Sequence, residues 1–538
     1  MIEQVSILVF LIPSAALLFA SILSTKPNNL LIIKKIGLGS MLLSTAMSIT
    51  AGFLIFDNGP MKSPLFGYNN LGFSLQLNTT TTLLFGMISA IGYAILKFSK
   101  NYLQGDSGHH YFLGRLSLTL SSVLLFVLSG NILLLFLSWV SMSFALHQLL
   151  LFYPNRKKAQ IAGRKKFIAA RIGDVFFFIS LTALYYGFQT GDLNDIYFQI
   201  QSSTDLPQIH LEVAAIFLVL AAIMKSAQFP FHGWLVEVME TPTPVSATLH
   251  AGLINAGPFL IISMSHVVHN SMIASAILVV VGGISAIFGA ISFTTQPAQK
   301  TALAYSSIAH MGFSLLTSGL GLYAAAALHL IAHSFYKGHA FLSSGTAVKT
   351  IKMKKIPVQS RAGNLLKITL GIATSGCVFM LTTYIWAVDF SDNFGFLTLS
   401  IISASAITLL IVSAIDVQKI SLSLAQALSY SLILYNSFFA LELGMHHLLM
   451  DSIAESNSTT VPQWLMIALL VVFLTIIVAQ IISPLIPKNK FIIKMGIHFR
   501  NGLYLNTYTD KALGNFRKKS KKSQLKSPAV YISNTAKA

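Results

Sequence analysis

Hydrophobic residues along this chain come in blocks of about 18 to 27, parted by short polar stretches. The blocks fall at approximately 4–24, 33–56, 73–98, 113–130, 131–153, 167–188, 211–228, 243–267, 272–294, 300–319, 322–348, 365–388, 394–415, 423–448 and 464–487. A helix of about 20 residues, rising 1.5 Å per residue, crosses the apolar core of a bilayer. The pattern therefore predicts an all-α fold: a polytopic transmembrane helix bundle of about 15 spans. By position it divides into N-terminal spans over 1–112, a core over 113–415, C-terminal spans over 416–487 and a basic tail over 488–538.

Two blocks are interrupted. The apolar run that reaches Lys225 continues into Phe229-Pro230-Phe231-His232-Gly233-Trp234. Proline lacks a backbone donor and crowds the preceding turn, so Pro230 breaks the helix. The next run opens on Thr241-Pro242-Thr243-Pro244 and carries Pro258 inside it. Breaks at membrane depth are tolerated where protein or a wet cavity satisfies the backbone, and transporters place ion sites there. A kink that serves only packing is the competing reading.

Composition narrows the function classes. With 54% hydrophobic and 10% charged residues in 538, a water-soluble enzyme is excluded. The net charge of +19 first suggests nucleic acid, but no basic-plus-aromatic platform supports that partner. Residues 488–538 hold twelve Lys/Arg and one acid, Asp510. Much of the remainder follows the excess of cations in cytoplasmic loops. With the N-terminus outside, that side receives Asp192, Asp195, Asp205, Asp389, Asp392, Asp451 and Glu455. The cytoplasmic side receives Lys26, Lys97, Lys100, Arg115, the cluster Arg156 to Lys166, Lys300, the cluster Lys349 to Arg361, Lys419 and the tail. The bilayer is thus one partner, and the basic run Arg517-Lys518-Lys519-Ser520-Lys521-Lys522 is solvated, lies on anionic lipid, or docks a soluble protein. The first block has no basic stretch before it and reads as a retained span. A single cysteine, Cys377, excludes internal disulfides and Cys-based metal sites.

An ionisable side chain at mid-membrane costs at least about 2.5–3.5 kcal/mol, so each one needs a reason. Arg171 and Asp174 stand at i, i+3 on one helix face, either as a self-neutralising pair or as part of an ion path. Lys225 sits at the broken helix end, where it either snorkels or exchanges a proton. His250 suits proton relay and also interhelical hydrogen bonding. His329, His333 and Lys337 recur at i, i+4, i+8 and line one face, a pattern for a proton or water wire. With no Asp, Glu or Cys beside it, the stripe is a poor metal site, and no cofactor is expected. No Walker loop, dinucleotide fingerprint or Ser-His-Asp pattern occurs in context, so the chain reads as a transporter subunit and not an enzyme.

These residues resemble a known family. Lys225-Ser226-Ala227-Gln228-Phe229-Pro230, Thr241-Pro242-Thr243-Pro244-Val245-Ser246-Ala247 and His250 are similar to the proton-pumping subunits of respiratory complex I and of Mrp-type antiporters. So are Asn131-Ile132-Leu133-Leu134 with Trp139, Arg171-Ile172-Gly173-Asp174-Val175, Leu303-Ala304-Tyr305-Ser306-Ser307 and the His329 stripe; the match covers about 113 to 349. Within that superfamily the chain looks like the DabB family, membrane subunits of inorganic-carbon uptake systems. The stretch His333-Ser334-Phe335-Tyr336-Lys337-Gly338-His339 and the segment His498-Phe499-Arg500-Asn501-Gly502-Leu503-Tyr504 carry that likeness, and no long lateral helix with a final anchor follows.

The resemblance implies a cell inner membrane location and a heteromeric partnership with a DabA-like large soluble zinc protein, similar to a β-carbonic anhydrase, which holds the metal and the CO2/bicarbonate chemistry. It implies that this chain couples proton or sodium movement to that partner. It makes Lys225 the central ion site, Asp174 and Arg171 its charge partners, and His250, His329, His333 and Lys337 the continuing polar axis. Two departures matter: Val140 follows Trp139 where complex I subunits have a glutamate, and 368–388 holds no charged residue for a second lysine site. The alternative is a proton-translocating subunit of an NADH dehydrogenase or hydrogenase complex, or an Mrp-type cation/proton antiporter. A third class is a membrane scaffold whose charges are only structural.

Overall fold

A computed structural model describes residues 6–203, 205–354, 364–390, 393–415, 420–454, 460–482 and 490–513. Among these, eleven helices are long and apolar enough to cross a membrane. They are α2 (Pro27–Asn58), α3 (Thr79–Tyr102), α4 (His109–Val127), α5 (Ile132–Leu150), α6 (Lys157–Phe188), α7 (Gln208–Lys225), α8 (Thr243–Ser263), α9 (Met272–Thr295), α12 (Leu365–Ile385), α13 (Phe394–Ser413) and α15 (Gln463–Ile482). Four more fill the expected set: the shorter α1 (Ile7–Leu23), and α10 (Gln299–Gly319), α11 (Tyr323–Lys354) and α14 (Ile420–Leu449), each longer and carrying histidines. The expected bundle of about fifteen helices is the observed one. Asp392, Lys419, Glu455, the stretch 355–363 with Lys355 and Arg361, and the tail from 514, including Arg517 to Lys522, lie outside the described residues.

One element was not expected from the hydrophobic pattern. Between α2 and α3 the chain forms two small antiparallel ribbons, β1 (Met61–Lys62) with β4 (Gln76–Leu77), and β2 (Phe66–Tyr68) with β3 (Leu71–Phe73). Asn69 and Asn70 both take positive φ, 49° and 60°, which closes a two-residue hairpin in the sense that matches strand twist. Asn131 ties this hairpin down. Its Nδ2 donates to the Asn70 carbonyl at 3.0 Å, while its Oδ1 caps α5 by accepting from the Leu133 amide at 3.0 Å.

Ion pairs sort the loops onto two faces. Lys62 reaches Asp192 at 3.5 Å and Asp195 at 3.1 Å on the hairpin side. Lys165 reaches Glu237 at 2.6 Å and Asp510 at 2.7 Å on the other. Lys165 lies near the start of α6 and Asp192 just past its end, so the faces stand roughly 35 Å apart at 1.5 Å per residue. The two sides agree with the division of loops read from charge.

At the centre, α8 is almost wholly buried and packs on α11, α7 and α3. Beside it, α9 and α10 meet backbone to backbone. A Cβ on Gly282 would stand 2.7 Å from the Gly312 carbonyl oxygen, and one on Gly312 would stand 2.7 Å from the Ala286 amide. Only glycine allows that approach, the small-residue packing typical of membrane helices.

Both expected interruptions are present. Helix α7 ends at Lys225, and Ala227 follows with φ of 52°. The Phe229 amide, freed by the break, donates to Ser285 Oγ of α9 at 3.0 Å. Helix α8 is broken inside by a π-helical turn, Leu249–Leu253, closed by the Ile254 amide on the Leu249 carbonyl at 3.0 Å. Such turns widen the helix and often mark functional positions. This one carries His250.

Candidate functional site

The first cluster is assembled by α5, α6 and α7. Asp174 is buried, and its Oδ1 accepts from the indole N–H of Trp139 at 2.9 Å. Its Oδ2 faces Arg171 at 2.6 Å, the i, i+3 pair expected from spacing. The Arg171 guanidinium also lies over Phe144 at 4.2 Å and Phe167 at 5.1 Å.

Lys225 does not touch Asp174 directly. Its ammonium sits 4.1 Å from the centre of the Trp139 ring, donates to the Trp139 carbonyl at 3.2 Å and to Ser143 Oγ at 2.8 Å. The link from lysine to carboxylate therefore runs through one tryptophan, with its indole held by Asp174 and its face and carbonyl turned to Lys225. A residue read as part of a cytoplasmic loop joins this cluster. Lys166 lies within α6, is 4% exposed, and donates to the Ser143 carbonyl at 2.5 Å. Its charge had concealed it, yet it stands eight residues before Asp174, on the same helical face.

The second cluster lies on α8, α10 and α11. His250 is fully buried, stacks on Phe341 at 4.4 Å, and neither ring nitrogen has a partner among the described residues. The stripe on α11 faces α10. His329 pairs with Nδ1 of His310 at 3.2 Å. His333 lies 5.1 Å from His310 ring to ring, and Lys337 donates to the Leu303 carbonyl at 3.1 Å. His310 was missed by the sequence reading; as a lone histidine on another helix it has no spacing relation to the stripe. Among the described residues no group of three or more His, Cys, Asp or Glu is set to hold a metal ion.

Between the clusters, Leu249 and Leu253 of the π-helical turn face the Lys225 cavity while His250 faces α11. Among the described residues no hydrogen bond connects Lys225 to His250. Seven expected residues thus form two groups, Arg171, Asp174 and Lys225 in one and His250, His329, His333 and Lys337 in the other.

A polar ring closes the Lys165 face. Burial pushes the Glu237 carboxyl above its ordinary range, and the Lys165 ammonium pulls it back in part. Beyond the last span, an amphipathic helix, Lys490–Arg500, and a short helix, Leu505–Ala512, fold against this ring. Gln296 Nε2 donates to the Arg500 carbonyl at 3.0 Å, and Asp510 completes the pair with Lys165. On the opposite face burial lowers the Lys62 ammonium, but acceptance and charge from Asp195 and Asp192 outweigh it and leave the group raised.

Comparison with known proteins makes this bundle, with one helix ending in a lysine, a π-broken neighbour and a His/Lys stripe, an antiporter-like membrane subunit. The family model described as NADH:quinone oxidoreductase/Mrp antiporter, TM, matches residues 129–384. A chain of the Mrp complex from a Dietzia species has the same fold, with a TM-score of 0.66 at 20% identity, covering 96% of this chain and 61% of that one. A probable inorganic carbon transporter subunit, DabB2 of Halothiobacillus neapolitanus, is 32% identical over 466 residues, 84% of this chain and 82% of the relative. The probable inorganic carbon transporter subunit DabB of Hydrogenovibrio crunogenus is 37% identical over 318 residues, 58% of this chain and 61% of the relative. The matched region thus spans about three fifths of the Hydrogenovibrio protein. The chain belongs to the DabB family of multi-pass membrane subunits, within the complex I and Mrp antiporter superfamily.

Proposed function

We propose that this chain is the membrane subunit of an energy-coupled uptake pump for inorganic carbon, CO2 or bicarbonate. Proton or sodium movement past Lys225 and along His250, His329, His333 and Lys337 drives the hydration reaction of a DabA-like soluble zinc partner in one direction. Arg171 and Asp174 set the charge at the Lys225 end. The chain sits in the cell inner membrane with its N-terminus outside, and the basic Lys165 face, with the docked segment 490–513, meets the partner in the cytoplasm.

The observation that carries this reading is the seat of Lys225. A lysine at a helix break, held by a carbonyl and a hydroxyl and separated from its carboxylate by an aromatic ring, is positioned but, among the described residues, not locked in a salt bridge. An ammonium held that way can give up and regain a charge, because no fixed anion binds it directly. Val140, in place of an acid beside Trp139, speaks against the rival reading as a respiratory proton pump or Mrp-type antiporter.

The test is growth in air of a carbonic-anhydrase-deficient host carrying the chain and its partner. Lys225→Ala abolishes rescue while both subunits still co-purify. Normal growth of that variant overturns the coupling role, and rescue of sodium resistance in place of growth in air favours the antiporter.

A further inference from the structure

Three cations and one carboxylate occupy the end of the bundle formed by α5, α6 and α7. Lys166, Arg171, Lys225 and Asp174 lie within electrostatic reach of one another, and Asp174 is already paired with Arg171. That leaves two lysines over. They line one small cavity together with Ser143; its other walls, including Met142, Leu249 and Ile254, are apolar, and no acid contributes.

The polar side chains that line this cavity, Lys166, Lys225, Ser143 and Trp234, can each donate a hydrogen bond. The Lys166 ammonium has three N–H groups and one partner among the described residues, the Ser143 carbonyl. The Ser143 hydroxyl accepts from Lys225, which leaves its own proton to donate. An acceptor-only ligand of negative charge satisfies both ammonium groups and the hydroxyl. The energetic case is the same. Desolvating an ammonium costs several kcal/mol unless a counter-charge accompanies it, and Lys166 is 4% exposed with no carboxylate in salt-bridge contact among the described residues. The α5 residues that line the cavity beside Ser143 are Met142 and Leu146, and Val140, one turn before Ser143, is also uncharged.

We infer that the cavity between Lys166 and Lys225 binds a small inorganic monovalent anion, of the size of bicarbonate, nitrate or chloride. The two ammonium groups supply its charge partners and Ser143 a third hydrogen bond. The apolar walls keep out larger organic anions. The site goes beyond the coupling role, since an anion held there needs neither an ion gradient nor the zinc partner.

Tryptophan fluorescence provides the test, because Trp139 stacks on Lys225 and Trp234 lines the cavity. The purified full chain in lipid nanodiscs is titrated with sodium bicarbonate, nitrate or chloride at fixed pH, with ionic strength held constant by gluconate. The expected result is a saturable change for at least one of the three, with affinity ranked by ion identity. Lys166→Met weakens it about tenfold or more, a loss of about 1.4 kcal/mol. Val140→Glu does the same by supplying an internal anion, and covers the case in which Lys166→Met does not fold. Lys62→Met, on the opposite face, leaves it unchanged. A linear response, a response shared by gluconate, or equal affinities in wild type, Lys166→Met and Val140→Glu overturns the assignment. Because the readout is binding to the isolated chain, it fails or succeeds independently of growth of the Lys225→Ala host.

Discussion

Asp174→Asn isolates the charge of the carboxylate from its shape. Asparagine keeps an oxygen where Oδ1 accepts the Trp139 indole N–H at 2.9 Å, but it offers Arg171 no charge. Removing one member of a fully buried ion pair costs about 3–5 kcal/mol. Arg171 is not fully buried: 31% of its side chain reaches the surface, and the Phe144 ring at 4.2 Å still holds the guanidinium. The Phe144 and Phe167 rings offset part of the loss, each contact by about 0.5–1 kcal/mol, so Asp174→Asn destabilises by at least about 2 kcal/mol. Asp174→Ala also strands a buried indole donor and costs a further ~1–2 kcal/mol. The assay is reversible unfolding of the purified chain in mixed micelles, across Asp174→Asn, Asp174→Ala, Arg171→Met and the Arg171→Met/Asp174→Asn double. The cycle shows a coupling of about 1–2 kcal/mol. Additivity within about 0.5 kcal/mol, together with equal cost for the Asn and Ala variants, would refute the pairing as an energetic link. A stability loss confined to Asp174→Ala would mean that the indole bond alone orients Trp139 beneath Lys225.

Four other outcomes follow from the same geometry. His310→Phe lowers inorganic-carbon uptake as much as His329→Phe does, and the double variant is no worse than either, because the two rings act as one hydrogen-bonded unit; a wild-type rate in His310→Phe excludes it from the path. Gly312→Leu forces α9 and α10 apart where a Cβ meets backbone at 2.7 Å, at a cost of at least about 1–3 kcal/mol, read as a lower unfolding temperature. In a Cys377→Ser background, Lys165→Cys and Asp510→Cys crosslink with a short bismaleimide, since those side chains meet at 2.7 Å. Under an impermeant maleimide, Lys62→Cys and Asp510→Cys label from opposite sides of the membrane; labelling from one side would overturn the two-faced arrangement.

Much of the architecture was legible in the residues because membrane insertion imposes a length and a polarity on every helix. Pro230 announced that α7 ends near Lys225, since proline lacks a backbone donor and its ring crowds the preceding turn. The His329, His333 and Lys337 stripe was visible because helical periodicity is a local property. Small departures came where local rules were silent. The Asn69-Asn70 hairpin is too short to show in hydrophobic blocks. An interruption of α8 was expected from its prolines, but not that it takes the form of a π-helical turn carrying His250 and packed against α11. Helix α6 starts at Lys157, ten residues before its apolar run, because Lys165 finds Glu237 and Asp510 and Lys166 finds the Ser143 carbonyl.

Contacts across helices are a different matter. Charge, hydropathy and proline placement, all read along one dimension, determine that this is a helical membrane bundle with a broken lysine-bearing helix and intramembrane cations. Only the packed bundle decides that Lys225 answers to Asp174 through Trp139, that His310 joins a stripe on another helix, and that Lys166 turns inward beside Lys225. The physical reason is that an intramembrane charge is expensive wherever it stands, so its presence can be read from sequence, while the groups that compensate it come from residues distant along the chain and near only once the helices pack.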